Sequence, residues 1–137
     1  MPTERRLGRL TSAELAGTAG ETERATDRTG RVLLVPLGAT EQHGPHLPLD
    51  TDSVIAERWA LALADRHPEA VVAPTLPYGS SGEHQTFPGT LSIGQEALEA
   101  VVVELARSAA SSFGAVVFVS GHAGNLAPLR RAVGLLR

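Results

Sequence analysis

VLLVPLGATEQHGPHLPLDTD, residues 32–52, is the stretch on which the fold turns. Its first six residues, Val32–Leu37, are apolar without alternation. An uninterrupted apolar run of strand length suits a strand buried on both faces, as in a parallel sheet. The polar segment from Gly38 to Asp52 then leads into a predicted helix over 53–67, with Ile55, Trp59, Ala62 and Leu63 at helical spacing and Pro68 as the stop. Moving outward, Val71–Pro74 reads as a second short strand and 76–91 as a long loop punctuated by Gly79, Gly82, Pro88 and Gly89. A strong amphipathic helix is predicted over 95–112, with Ser92 and Gln95 as its capping box and Gly114 beyond its end. Ala115–Val119 is a third strand of the buried type, 120–125 a glycine-rich turn, and 126–137 a further helix with Pro128 in its first turn.

Residues 1–30 form a polar arm in which Thr11 and Glu14 predict a capping box for a short helix over 11–18, followed by loop to Gly30. Two regions are therefore expected: the arm, 1–30, and an α/β domain, 31–137. Strands that alternate with helices imply a parallel sheet with right-handed crossovers. Three strands make a small sheet and the last helix runs to Arg137, so the chain reads as the N-terminal part of a larger α/β unit.

Composition narrows the function classes. The chain has 137 residues, a formal net charge of -3, 42% hydrophobic and 20% charged residues, which together describe an ordinary globular domain without a basic footprint for nucleic acid or an anionic membrane. No apolar run reaches the ~18 residues of a membrane span, and the N-terminus lacks the apolar core of a secretory signal. The absence of cysteine excludes disulfides, thiolate metal sites and cysteine nucleophiles. A cytoplasmic location is expected.

Chemistry concentrates in two segments, EQHGPHLPLDTD at 41–52 and SGHAGN at 120–125, each directly after a buried-type strand. In open parallel sheets, ligands bind beyond the carboxyl ends of strands, so Glu41, His43, Asp52 and His122 are candidates for one cluster. Two imidazoles and two carboxylates suit Zn²⁺, Mn²⁺ or Fe²⁺. Glu41 and His43 point the same way on an extended backbone, and Asp52 sits where a helix N-terminus favours its charge. Taken singly, these residues have plainer readings: a loop histidine is usually a surface group, and Asp50, Thr51 and Asp52 are also the residue types that cap helices. No phosphate-binding glycine fingerprint occurs.

VPLGATEQHGPHLPLDTD, the loop GSSGEHQTFPGTLSIG and the turn SGHAGN, in that order, resemble the creatininase family of amidohydrolases over residues 32 to about 130, and most of all the mycofactocin-system peptidases within it. The resemblance implies a three-layer α/β/α sandwich with a mainly parallel sheet, incomplete here at its C-terminus. It also implies a divalent-metal amide hydrolase, hexameric in the family, with Glu41, His43, Asp52 and His122 at the metal-ligand positions and Asp52 bridging two ions. Creatininase has a further glutamate two residues after the matching histidine, where this chain has Gly124. His46 is expected to orient His43 or Asp52 or else to bond loop backbone, and His84, beside Glu83 in the long loop, to contact substrate or lie at the surface. Trp59 is expected in the core or at an oligomer contact.

The function so implied is metal-dependent hydrolysis of a C–N amide bond, with zinc, Fe(II) or manganese, two ions per subunit, acting on a precursor peptide or a small cyclic amide of the creatinine type. The alternative is a shortened domain that persists as a metal-binding or interaction module.

Overall fold

The computed structural model describes residues 4–17 and 30–137; the loop predicted over 18–30 falls almost wholly outside them. The predicted alternation is present: α1 (Ser12–Gly17), β1 (Val32–Leu37), α2 (Thr51–Ala64), β2 (Ala70–Val72), α3 (Gln95–Ala109), β3 (Ala115–Ser120) and α4 (Leu126–Leu136). The Thr11–Glu14 capping box closes reciprocally: the Glu14 amide donates to Thr11 Oγ1 at 3.2 Å and the Thr11 amide to Glu14 Oε2 at 2.8 Å.

The three strands pair in parallel in the order β2-β1-β3. β1 is central, and its unalternated apolar sequence fits that place because both of its faces are covered. Leu34, with Val32, packs with Ala60, Ala64, Ala70 and Val72 on the α2 side. Leu33, Val35 and Leu37 face the other way, into clusters with Leu98, Val102, Phe113 and Ala132. Helix α2 thus covers one face and α3 with α4 the other, giving the three-layer sandwich. Among the described residues, no helix is long and apolar enough to cross a membrane.

Three expectations need correction. First, Trp59 is not in the core: it is 65% exposed, and Ile55 and Leu63 are exposed beside it. The buried stripe of α2 is Ala56, Ala60 and Ala64, whose small side chains let the helix lie close on the sheet and leave the larger neighbours, about 100° round the axis, facing out. Second, Ser92 does not cap α3. The N-cap is Gly94 at φ 78°, without a side-chain cap; Ser92 Oγ instead accepts from the Ser81 amide at 2.9 Å and the Gly94 amide at 3.2 Å, tying the long loop to itself. Third, β2 spans Ala70–Val72 and so stops short of the predicted Pro74. The chain still tracks β1, however, with the Ala73 amide on Leu34 O and the Leu76 amide on Pro36 O.

Register decides where the chemistry goes. Val32 pairs with Ala115 and Leu37 with Ser120, so β1 and β3 end side by side. The segments that follow them, 38–52 and 121–125, leave from the same carboxyl edge of the sheet.

Candidate metal centre

The first turn of α2 is wedged against the ends of β1 and β3. Its fit depends on glycine: a Cβ on Gly121 would lie 2.2 Å from Asp52 O, and one on Gly38 2.5 Å from Ser53 Cα. This close approach buries Asp52, in the first helical turn, where the macrodipole favours its charge. Asp50 occupies the N-cap position but makes no side-chain cap bond, and Asp52, inside the first turn, presents its side chain to the imidazoles. Glu41 is pinned by its amide, which donates to Leu49 O at 3.0 Å and closes the loop between them.

Glu41, Asp52 and His122 are all buried and present ligand atoms within 4.8 Å of one another. His122 Nδ1 is 3.2 Å from Glu41 Oε1 and 3.2 Å from Asp52 Oδ2. His43 Nε2 is 2.9 Å from the other oxygen, Asp52 Oδ1, and 3.9 Å from Glu41 Oε1. The two oxygens of Asp52 therefore face two different imidazoles.

Each imidazole is oriented by a main-chain carbonyl. His43 Nδ1 donates to Glu41 O at 3.0 Å, and His122 Nε2 donates to Ser80 O at 3.0 Å. A carbonyl only accepts, so these bonds place a hydrogen on that nitrogen and turn the other nitrogen toward the carboxylates. A neutral imidazole so placed points a lone pair at carboxylate oxygens, which repels unless a proton or a cation lies between. At His43, desolvation pulls the pKa down, but the Asp52 hydrogen bond, the Glu41 carbonyl and both carboxylate charges outweigh it and hold the pKa above its ordinary value.

The donor set fits a divalent ion. Two donors bound at about 2.1 Å with angles of about 90–110° lie about 3.0–3.4 Å apart; the separations of 3.2 Å fall within that range and that of 2.9 Å just below it. Glu41 Oε2 and Asp52 Oδ2 are buried without a hydrogen-bond donor, and among the described residues only imidazoles form ion pairs with these two carboxylates. Buried carboxylates normally demand full pairing, and a cation among them would provide it.

The long loop reaches the same edge. Its Leu91 amide donates to Thr40 O at 2.9 Å, which brings the Gly82–His84 turn over the cluster. His84 Nε2 lies 3.7 Å from Glu41 Oε1, and its ring centroid is 6.1 Å from that of Phe87. His46, by contrast, is exposed and stands apart from the hydrogen bonds that orient His43 and Asp52.

Sequence reasoning passed over Asn125. Its fully buried amide accepts from the Ser80 amide at 2.9 Å and donates to Gly38 O at 3.0 Å, joining the end of β1, the long loop and the His122 turn. The only signal was a lone amide side chain closing the glycine turn after a buried strand.

Comparison with known proteins places this arrangement in context. The creatininase family profile, described as creatinine amidohydrolase, matches residues 16–137. The mycofactocin precursor peptide peptidase of Mycobacterium tuberculosis (strain CDC 1551 / Oshkosh) is 46% identical over 146 aligned positions, covering 100% of this chain and 54% of that protein. The protein of the same description from Mycolicibacterium smegmatis is 50% identical over 129 positions, covering 89% of this chain and 51% of that one. A creatinine amidohydrolase of Pseudomonas putida is 36% identical over 100 positions, 66% of this chain and 37% of that one. Among solved structures, a creatinine amidohydrolase (creatininase) superposes with a TM-score of 0.82 at 30% identity, covering 97% of this chain and 51% of its own. A creatininase described as the Mn form gives 0.83 at 29% identity, and a mutant creatininase of Zn-Zn type gives 0.80 at 30%, each with the same coverage. The chain spans about half the length of the curated relatives it matches.

Proposed function

The chain belongs to the creatininase family of amidohydrolases, and from that premise we propose that its function is divalent-metal hydrolysis of a C–N amide bond in a precursor peptide. One observation carries the reading: both oxygens of the buried Asp52 carboxylate face imidazole nitrogens whose opposite nitrogens are spent on main-chain carbonyls. Glu41, Asp52 and His122 would hold one ion, and Asp52 with His43 would offer donors to a second. The second position has fewer protein donors, since residue 124 is glycine, so its ion is held less tightly. Nitrogen and carboxylate donors suit zinc, Fe(II) or manganese. A bound ion supplies polarisation of the amide carbonyl and a water acidified toward neutrality.

The chain's own residues do the rest. Asp52 and Glu41 orient the two imidazoles and hold negative charge where cationic or proton-donating groups converge. His84 places Nε2 beside Glu41 at the mouth of the cluster, in reach of a substrate. The exposed Ile55–Trp59–Leu63 stripe of α2 supports a homo-oligomer, since apolar faces of this kind mark contacts. The peptide substrate is supported by the relatives of 46–50% identity described as peptide peptidases; the more distant creatinine amidohydrolase keeps a small cyclic amide as the second substrate class.

Metal analysis of the purified chain, with hydrolysis assays on a precursor-type peptide and on creatinine, tests the reading. Co-purifying metal that is lost in Asp52→Asn, together with cleavage of the peptide, is the expected result. Metal content independent of Asp52 would overturn the centre, and creatinine turnover without peptide cleavage would overturn the substrate.

A further inference from the structure

The long loop places a carboxylate as well as a carbonyl on the far side of His122. Glu83 Oε1 lies 3.4 Å from His122 Nε2, the nitrogen whose hydrogen points to Ser80 O. The opposite nitrogen faces Glu41 and Asp52. Glu83 Oε1 therefore stands on the Nε2 side of the ring, away from the nitrogen that faces the donor cluster. Its room comes from Gly124: a Cβ there would fall 2.3 Å from His122 Nε2, 2.4 Å from Ser80 O and 2.5 Å from Glu83 Oε1.

We propose that Glu83 is a positioning residue for metal binding: with the Ser80 carbonyl, its carboxylate holds the hydrogen on His122 Nε2 and keeps Nδ1 as the bare donor facing Glu41 and Asp52. The inference rests on the metal-centre reading above and adds to it the group that prepares one ligand. A carboxylate behind a metal-binding imidazole fixes the tautomer and ring orientation and raises the basicity of the ligating nitrogen. Ser80 supplies the direction of the bond, and Glu83 supplies charge that a carbonyl lacks. Any side chain at position 124 would expel both, so Gly124 and Glu83 act as a pair although 41 positions separate them.

Glu83→Gln keeps the shape of the side chain and removes its charge. Zinc affinity, measured by chelator competition, is expected to weaken about 10–100-fold, while the melting temperature of the metal-free protein stays unchanged. In metal-free protein titrated with alkali until the ring signals stop changing, ¹⁵N shifts of the His122 ring should show the Nε2–H form dominant in the wild type and diminished in Glu83→Gln. Gly124→Ala should weaken zinc at least as much, and adding Glu83→Gln to it should cause no further loss, because the Cβ has already displaced the carboxylate. A Glu83→Gln protein within about twofold of wild-type zinc affinity, an unaltered tautomer, or full additivity with Gly124→Ala would each overturn the proposal. Asp52→Asn separates the two readings. If it leaves zinc binding intact, the centre is misplaced, and the His122 tautomer alone then decides the role of Glu83. Loss in Asp52→Asn with none in Glu83→Gln overturns Glu83 alone.

Discussion

Replacing Gly121 by alanine should damage the proposed metal centre without touching any donor atom. The added Cβ would sit 2.2 Å from Asp52 O, 3.0 Å from Asp52 C and 3.3 Å from the Ala56 amide nitrogen, where ordinary contact begins at 3.4 Å. All three neighbours are main chain, so no rotamer change relieves the overlap. The end of β3 and the first turn of α2 have to separate by about 1.2 Å, the difference between 3.4 and 2.2 Å, and overpacking of this kind costs about 1–3 kcal/mol. Because both partners are backbone, the upper end applies, which for a domain of this size lowers the melting temperature by about 10 °C. The same displacement, taken along the line from His122 Nδ1 to Asp52 Oδ2, opens their 3.2 Å separation to about 4.4 Å. Two donors on one ion at about 2.1 Å each lie at most about 4.2 Å apart, so the shared ion is lost. Thermal melts with and without zinc, together with metal content after gel filtration, measure both effects. A Gly121→Ala protein that melts within about 2 °C of wild type and retains its metal would refute the argument that this contact sets the geometry of the site.

Other expectations follow from single contacts. Asn125→Ala strands the buried Ser80 amide and Gly38 carbonyl and should cost about 2–5 kcal/mol by urea denaturation; a change below about 1 kcal/mol would mean that water replaces the amide. Trp59→Gln, on the exposed face of α2, should change the stability of the dissociated chain by less than about 0.5 kcal/mol while weakening any self-association seen by sedimentation. The raised pKa of His43 predicts that, in metal-free protein, its contribution to stability is fully present below the ordinary histidine value of 6.5 and is lost as pH rises through the higher folded value. Zinc uptake should show the opposite trend, rising over the same window as the proton leaves Nε2, and pH-independent melts in chelator would contradict the assignment.

How far the sequence could be read depended on the range of the interaction. Val32–Leu37 was legible because six apolar residues in a row have only a doubly covered strand to occupy, and Ala115–Val119 followed by the same logic. Placing Glu41, His43 and His122 at one edge then required only that the strands be parallel. The face of α2 was not legible: Ile55, Trp59 and Leu63 share the spacing of a core stripe, and nothing local says that Ala56, Ala60 and Ala64 lie against the sheet instead. Ser92 carries a capping signature, but Gly94 at positive φ took the cap. Glu83, Ser80 and Asn125 meet His122 or its turn from 39 to 45 positions away along the chain or through buried amides, and no periodicity encodes such contacts. The four candidates at the strand ends were read from the two polar segments and matched by the resemblance, and their role as ligands is the proposal made above.

The register that ends β1 and β3 side by side has a consequence for folding. An ion held as proposed by Glu41 and His122 would tie together points about 80 residues apart, and a link of that span removes on the order of 4–5 kcal/mol of chain entropy from the unfolded ensemble. Among the described residues β3 pairs with one strand, β1, and Val117 on it is 43% exposed. The ion would then serve as a reversible fastener for β3. Chelation should speed amide exchange in Ala115–Ser120 ahead of Val32–Leu37, so that the availability of metal sets how much of the sheet stays closed.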